Sequence, residues 1–122
     1  MKPKPAEMNV EQYRLSMTHK QLQDGIVQAA KIFGYRVYFT WKSFHSPKGF
    51  PDLVMVKEIS DKKAIMVVCE VKTEKGKLSV EQAEWLNLLA EVPGVYTFVV
   101  YPSTYDLFLL TLQGLPDIIN AC

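Results

Sequence analysis

The chain has 122 residues, which suits one compact domain and leaves no room for two. Apolar residues make up 48% of it, enough to bury a real core, so a disordered chain is excluded. The 14 basic and 13 acidic residues leave a formal charge of +1, so any nucleic-acid face must come from local clustering of charge.

The two cysteines, Cys69 and Cys122, show neither a disulfide framework nor a zinc spacing. A reducing, intracellular compartment is therefore expected. No apolar run approaches the roughly 18 residues of a membrane span, so no membrane partner is expected. Met1 to Glu7 lacks an apolar segment and is not expected to act as a secretory signal.

Residues 1–17 read as an arm, because Pro3 and Pro5 disfavour helix; a short helix is placed at Val10 to Leu15. A single domain is expected from Thr18 to Cys122. Thr18 and Gln21 have the form of a capping box opening a helix. Leu22, Ile26, Ala29, Ala30 and Phe33 recur at helical spacing, and Gly34 supplies the stop. Tyr35 to Trp41, rich in aromatic and β-branched residues, reads as a strand. A polar loop with Pro47 and Gly49 leads to a second strand, Asp52 to Lys57. Ser60 to Lys63 forms a hairpin turn into a third strand, Ala64 to Lys72. That strand is apolar on both faces for most of its length, which predicts a central position.

After a polar loop with Gly76, Ser79 and Gln82 form a second capping box. Trp85, Leu86, Leu88 and Leu89 give this helix its apolar face, and Pro93–Gly94 ends it. Val95 to Tyr101 is a fourth strand stopped by Pro102. Ser103 or Thr104 caps a last helix that runs through Leu112 and is closed by Gly114. The order α-β-β-β-α-β-α predicts an α/β fold with a mixed sheet flanked by helices.

Chemistry gathers at Pro51–Asp52 and Glu70–Val71–Lys72. Side chains alternate along a strand, so Glu70 and Lys72 share one face. The hairpin places the start of the second strand opposite the end of the third, which brings Asp52 beside them. Two close carboxylates resist joint ionisation unless a cation offsets the repulsion, and hard oxygen ligands favour Mg2+ or Mn2+. A bound metal acidifies its water, and Lys72 can orient that water or offset charge on phosphorus. The bland alternative makes Asp52 and Glu70 strand-end acids with Lys72 as their ion-pair partner. Charged residues that interrupt a core strand are costly without a function, which favours the chemical reading.

The blocks Gly49–Phe50–Pro51–Asp52–Leu53–Val54, Glu70–Val71–Lys72–Thr73, Gly76–Lys77–Leu78–Ser79 and Glu81–Gln82 resemble the VRR-NUC family, the virus-type replication-repair nucleases of the PD-(D/E)XK superfamily. The resemblance runs from about Thr18 to Tyr101. It implies a restriction-endonuclease-like core in which Asp52, Glu70 and the backbone carbonyl of Val71 bind the metal and Lys72 is catalytic. Gln82 resembles the family's helix glutamine near the active site; its other reading is the capping-box partner of Ser79, and the two roles compete for one side chain. The family's glutamate near the start of the first helix is replaced by His19. That residue is either a metal ligand better suited to Mn2+ than to Mg2+ or an ordinary first-turn residue.

A positive rim is expected from Lys42, Ser43 and Lys48 before Asp52 and from Lys75 and Lys77 after Lys72, suited to DNA phosphates. His45 reads as a surface residue. Of Tyr35, Tyr38, Phe39 and Trp41, most are expected to pack in the core or at the sheet edge, with Trp41 the most open to stacking on bases.

The expected activity is metal-dependent hydrolysis of phosphodiester bonds in DNA. The resemblance implies branched substrates such as Holliday junctions or flaps, and small standalone phage proteins occur in the family, so the cytoplasm of a bacterial or phage-infected cell is expected. A homodimer suits symmetric junctions, with the last helix, Tyr105 to Leu112, either its contact surface or part of the monomer core. A catalytically weak nucleic-acid-binding module that retains the fold is the alternative, motivated by His19.

Overall fold

A computed structural model describes residues 7–40 and 46–122. Residues 1–6 and 41–45 lie outside the described residues; they hold the start of the expected arm and Trp41, Lys42, Ser43 and His45. Helix α1 (Val10–Leu15) opens with a capping box between Asn9 and Gln12. The Arg14 guanidinium meets the Asp106 carboxylate at 2.8 Å, which ties α1 to the start of the last helix.

Helix α2 (His19–Ile32) opens at the expected capping box. The Gln21 N–H donates to the Thr18 hydroxyl at 3.1 Å, and the Thr18 N–H donates to the Gln21 side chain at 2.9 Å. Leu22, Ile26, Val27 and Ala30 form its buried stripe, while Lys20 and Asp24 pair on the exposed side.

Strands β1 (Arg36–Phe39), β2 (Leu53–Ser60) and β3 (Lys63–Val71) run antiparallel in sequence order. After helix α3 (Val80–Ala90), strand β4 (Val95–Val100) joins β3 in parallel. The described strands form one mixed sheet in the order β1-β2-β3-β4. Central β3 has neighbours on both sides, and Val67 through Val71 are all buried, which explains its continuous apolar run.

Alternation sorts these side chains into two layers. Leu53, Met55, Val67, Cys69, Val71 and Val100 pack with Leu22, Ile26 and Ala30 of α2 and with Phe108, Leu112 and Leu115 of α4 (Tyr105–Asn120). Glu70 lies on the opposite face, where Gln82 of α3 reaches it. The layout is α/β with helices on both faces of a mixed sheet, consistent with a restriction-endonuclease-like fold.

The last helix departs from the sequence expectation. Gly114 does not close it; α4 continues through Pro116 to Asn120. A proline inside a helix removes one N–H and orphans the carbonyl four residues earlier, here that of Leu112. The Tyr35 hydroxyl donates to that carbonyl at 2.8 Å, and Tyr35 is 4% exposed. Burial of Leu112, Leu115 and Pro116 supplies the remaining reason to continue. Among the described residues no helix is long and apolar enough to cross a membrane.

Candidate active site

Asp52 stands immediately before β2, and the pairing of Leu53 with Cys69 sets it opposite the Glu70 end of β3. The Thr40 N–H donates to its backbone carbonyl at 2.9 Å, which fixes the residue against the edge strand. Its side chain is 5% exposed. Oδ2 accepts a hydrogen bond from the Val71 N–H at 2.8 Å. The same oxygen lies 3.3 Å from His19 Nε2, in the first turn of α2.

The Val71 contact follows from strand geometry. The Lys72 N–H donates to the Val100 carbonyl on β4, so the backbone groups of Val71 face the other edge, toward β2. Because β2 starts only at Leu53, the Asp52 side chain takes the place of a backbone partner there. The Val71 carbonyl shares that edge, since both polar groups of one strand residue point the same way.

Glu70, on the other face, is 2% exposed. Gln82 Nε2 donates to its Oε1 at 3.4 Å, and Lys72 Nζ lies 3.9 Å from that oxygen. The Lys72 side chain is 16% exposed, so most of it is covered by its surroundings. The structure therefore brings His19, Asp52, Glu70, Lys72 and Gln82 together at one end of the sheet, between the two helical layers.

The two roles read for Gln82 do not compete. Its Oε1 accepts from the Ser79 N–H at 2.9 Å, while its Nε2 faces Glu70. An amide carries acceptor and donors on separate atoms, so one side chain caps the helix and holds the carboxylate.

Gly49, which the sequence marks as a loop residue and as the first of the block that carries Asp52, connects the two halves of the site. It adopts φ +94°, and a Cβ there would lie 2.6 Å from the Glu81 carbonyl carbon and 2.8 Å from the Gln82 nitrogen. The loop carrying Asp52 thus packs backbone to backbone on the first turn of α3. Its sequence signal is a glycine three positions before the aspartate, at the head of the Gly49–Val54 block. Gly76 has a similar use: a Cβ there would lie 3.3 Å from Lys72 Cδ, so its bareness leaves room for the lysine stem.

Burial, reinforced by the nearby charges of Asp52 and Glu70, pushes the Cys69 thiol well above its ordinary 9.0. It is a neutral core group at the back of the site.

Lys48, Lys75 and Lys77 are exposed, the last two beside Gly76, Tyr101 and Ser103 around an open cleft of about 460 Å³. The Ser103 N–H donates to Glu74 Oε2 at 3.0 Å and anchors that loop. Lys42 and Ser43 lie outside the described residues. Among the described residues no three or more His, Cys, Asp or Glu side chains group as a metal cluster. His19 is placed as a partner of the Asp52 carboxylate. Tyr35 is core, whereas Tyr38 and Phe39 are exposed on the edge strand.

A family model for the VRR-NUC domain matches residues 5–101. No curated protein and no solved structure matches the chain. The matched span covers most of the 122 residues and holds every member of the cluster described above; among the described residues, the last helix and the turn before it lie outside. On that match, this chain belongs to the VRR-NUC domain family, a family of nucleases.

Proposed function

We propose that the protein is a divalent-metal-dependent endodeoxyribonuclease of the PD-(D/E)XK type. The observation that carries this reading is the pair of buried acids, Asp52 and Glu70, at the same strand ends as the largely covered Lys72 side chain. Buried carboxylates are costly unless hydrogen-bonded and balanced by positive charge. Hydrogen bonds from Val71 and Gln82 and the charge of Lys72 offset part of that cost.

A hard cation suits the donor set. Mg2+ commonly takes one or two carboxylates and completes its shell with water and substrate phosphate, so a cluster of three acidic side chains is not required. Asp52, Glu70 and the Val71 carbonyl would hold Mg2+ or Mn2+. Bound there, the ion would supply an acidified water and a polarised phosphoryl oxygen. Lys72 orients the attacking water or offsets charge on the phosphate. Gln82 orients Glu70, and His19 acts through Asp52. Lys48, Lys75 and Lys77 are assigned to DNA phosphates, as Lys42 and Ser43 are by their place in the sequence.

Branched DNA and a homodimer complete the reading. The outer side of α4 exposes Leu107, Leu110 and Ile118 at helical spacing, while its inner side, with Phe108 and Leu112, belongs to the core. A two-fold partner on that outer face would present two active sites to a symmetric junction. Sedimentation at micromolar concentration should give the mass of two chains; a monomer there removes the dimer from the proposal.

The experiment for the activity is cleavage of four-way junctions and flaps with Mg2+ and with Mn2+. Glu70→Gln and Lys72→Ala should each lose about 100-fold or more. Salt-sensitive DNA binding without cutting in either metal would instead favour the weakly catalytic binding module, for which His19 in place of a carboxylate is the motive.

A further inference from the structure

Beside the acidic cluster lies a second feature that the nuclease reading leaves unused. A cleft of about 680 Å³ opens between the edge strand, the loop before Asp52 and the first turns of α3. Its volume falls within the range of small-ligand sites, roughly 300–1,000 Å³. Three aromatic rings line it. Phe50 and Trp85 stand edge to face with centroids 5.0 Å apart, and Tyr38 is 61% exposed on the edge strand.

Polar side chains from Thr40, Ser46, Lys48, Ser79, Glu81 and Gln82 stand among these rings. The Thr40 hydroxyl is buried in the wall and has no hydrogen-bond partner among the described residues. Glu81 supplies a carboxylate and Lys48 a cation. Gln82 lines the same cleft while its amide nitrogen lies 3.4 Å from Glu70, so cleft and acidic cluster share a wall.

We propose that this cleft takes an unpaired nucleobase of the DNA strand whose phosphate lies at Asp52 and Glu70. The chemistry selects that occupant. Aromatic faces stack any base but cannot reach one that is paired within a duplex. The exposed Ser79 hydroxyl and Glu81 carboxylate suit the donors and acceptors on a base edge, whereas a pocket for phosphate alone would carry several cations and no acid. Lys48 at the rim matches the backbone that accompanies the base. The inference rests on the nuclease reading for its choice of strand, and it narrows the substrate class to DNA with a nucleotide out of the stack beside the cut.

Binding tests it separately from cleavage. Fluorescence anisotropy compares a blunt hairpin duplex, the same duplex with a short oligothymidine tail, and that tail with abasic sites scanned through its first positions. Titrations use the wild-type protein in EDTA and Glu70→Gln in Mg2+. The tailed duplex should bind more tightly than the blunt one, and one abasic position should abolish the difference. Tyr38→Ala should weaken binding of the tailed duplex roughly 5- to 100-fold and leave the blunt one unchanged, while Tyr38→Phe retains the preference. Lys48→Ala should weaken both DNAs alike.

Equal binding of tailed and blunt DNA, full affinity for every abasic tail, or equal loss on both DNAs with Tyr38→Ala overturns the proposal and leaves the aromatic wall to a protein partner. Metal-dependent cutting without any base preference removes the cleft alone. A base preference without cutting in either metal removes the nuclease reading and keeps the cleft.

Discussion

The Asp52 carboxylate and the Val71 backbone N–H form a 2.8 Å hydrogen bond at the point where strand pairing between β2 and β3 stops. One side chain thereby serves as a structural acceptor and as half of the acidic pair. Asp52→Asn keeps an acceptor oxygen and loses the charge. Stability should stay within about 1 kcal/mol of wild type while cleavage falls about 100-fold. Asp52→Ala leaves the N–H buried and unpaired and should cost about 1–3 kcal/mol. Urea unfolding beside the cleavage assay separates the two effects; an active Asn variant would mean that the charge of Asp52 is not used.

Substitutions at Ser79 and Gln82 test helix capping apart from the catalytic role proposed for Gln82. Ser79→Ala removes the N-cap hydroxyl and should cost about 1 kcal/mol with cleavage retained. Gln82→Glu retains a capping oxygen but sets a second negative charge against Glu70. It should reduce cleavage about tenfold or more with a smaller loss of stability. Equal effects of the two substitutions on cleavage would reduce Gln82 to a cap.

His19 lies 3.3 Å from Asp52 Oδ2. His19→Glu installs a carboxylate beside an existing one, which should destabilise the metal-free protein by about 1–2 kcal/mol. A bound cation relieves that repulsion, so Mg2+ should raise the melting temperature of the variant more than that of wild type. Thermal denaturation in EDTA and in Mg2+ gives the comparison. An identical metal-induced shift in both proteins would show that position 19 does not sense the ion.

Gly49→Ala forces a Cβ into the backbone of Glu81 at a left-handed φ. Stability should drop by about 2 kcal/mol or more. Cleavage measured well below the melting temperature should also fall, because the loop that sets Asp52 can no longer lie on α3. Full activity in a destabilised variant would show that the contact serves the fold alone.

Tyr35→Phe strands the Leu112 carbonyl that Pro116 leaves without a helical donor, at an expected cost of about 1–3 kcal/mol. Burial pushes the Tyr35 hydroxyl above its ordinary 10.0. The folded state therefore holds this proton more tightly than the unfolded chain. The contribution is complete below pH 10 and declines as the pH climbs toward the raised value. Urea unfolding at neutral pH and above pH 10 should show that decline in wild type and a smaller one in Tyr35→Phe.

Much of the architecture was legible because its causes are local. The Thr18–Gln21 and Ser79–Gln82 boxes form within single helical turns, so residue type and spacing suffice to place both helix starts. The apolar run of β3, interrupted at Glu70 and followed by Lys72, carries its own alternation, and the short turn after β2 brings Asp52 to the same end.

What the sequence determined, then, is everything set by neighbours a few residues apart: the element order, the caps, and a hairpin with its acids at one end. Only the tertiary structure decided that α4 passes through Gly114 and Pro116, because the hydroxyl that satisfies the freed carbonyl comes from 77 residues away. Likewise, His19 reaches Asp52 across 33 residues, and Gly49 meets Glu81 in a layer that forms only when α3 docks. Such contacts depend on which surfaces pack together, and a periodic pattern along one chain carries no record of its distant partner.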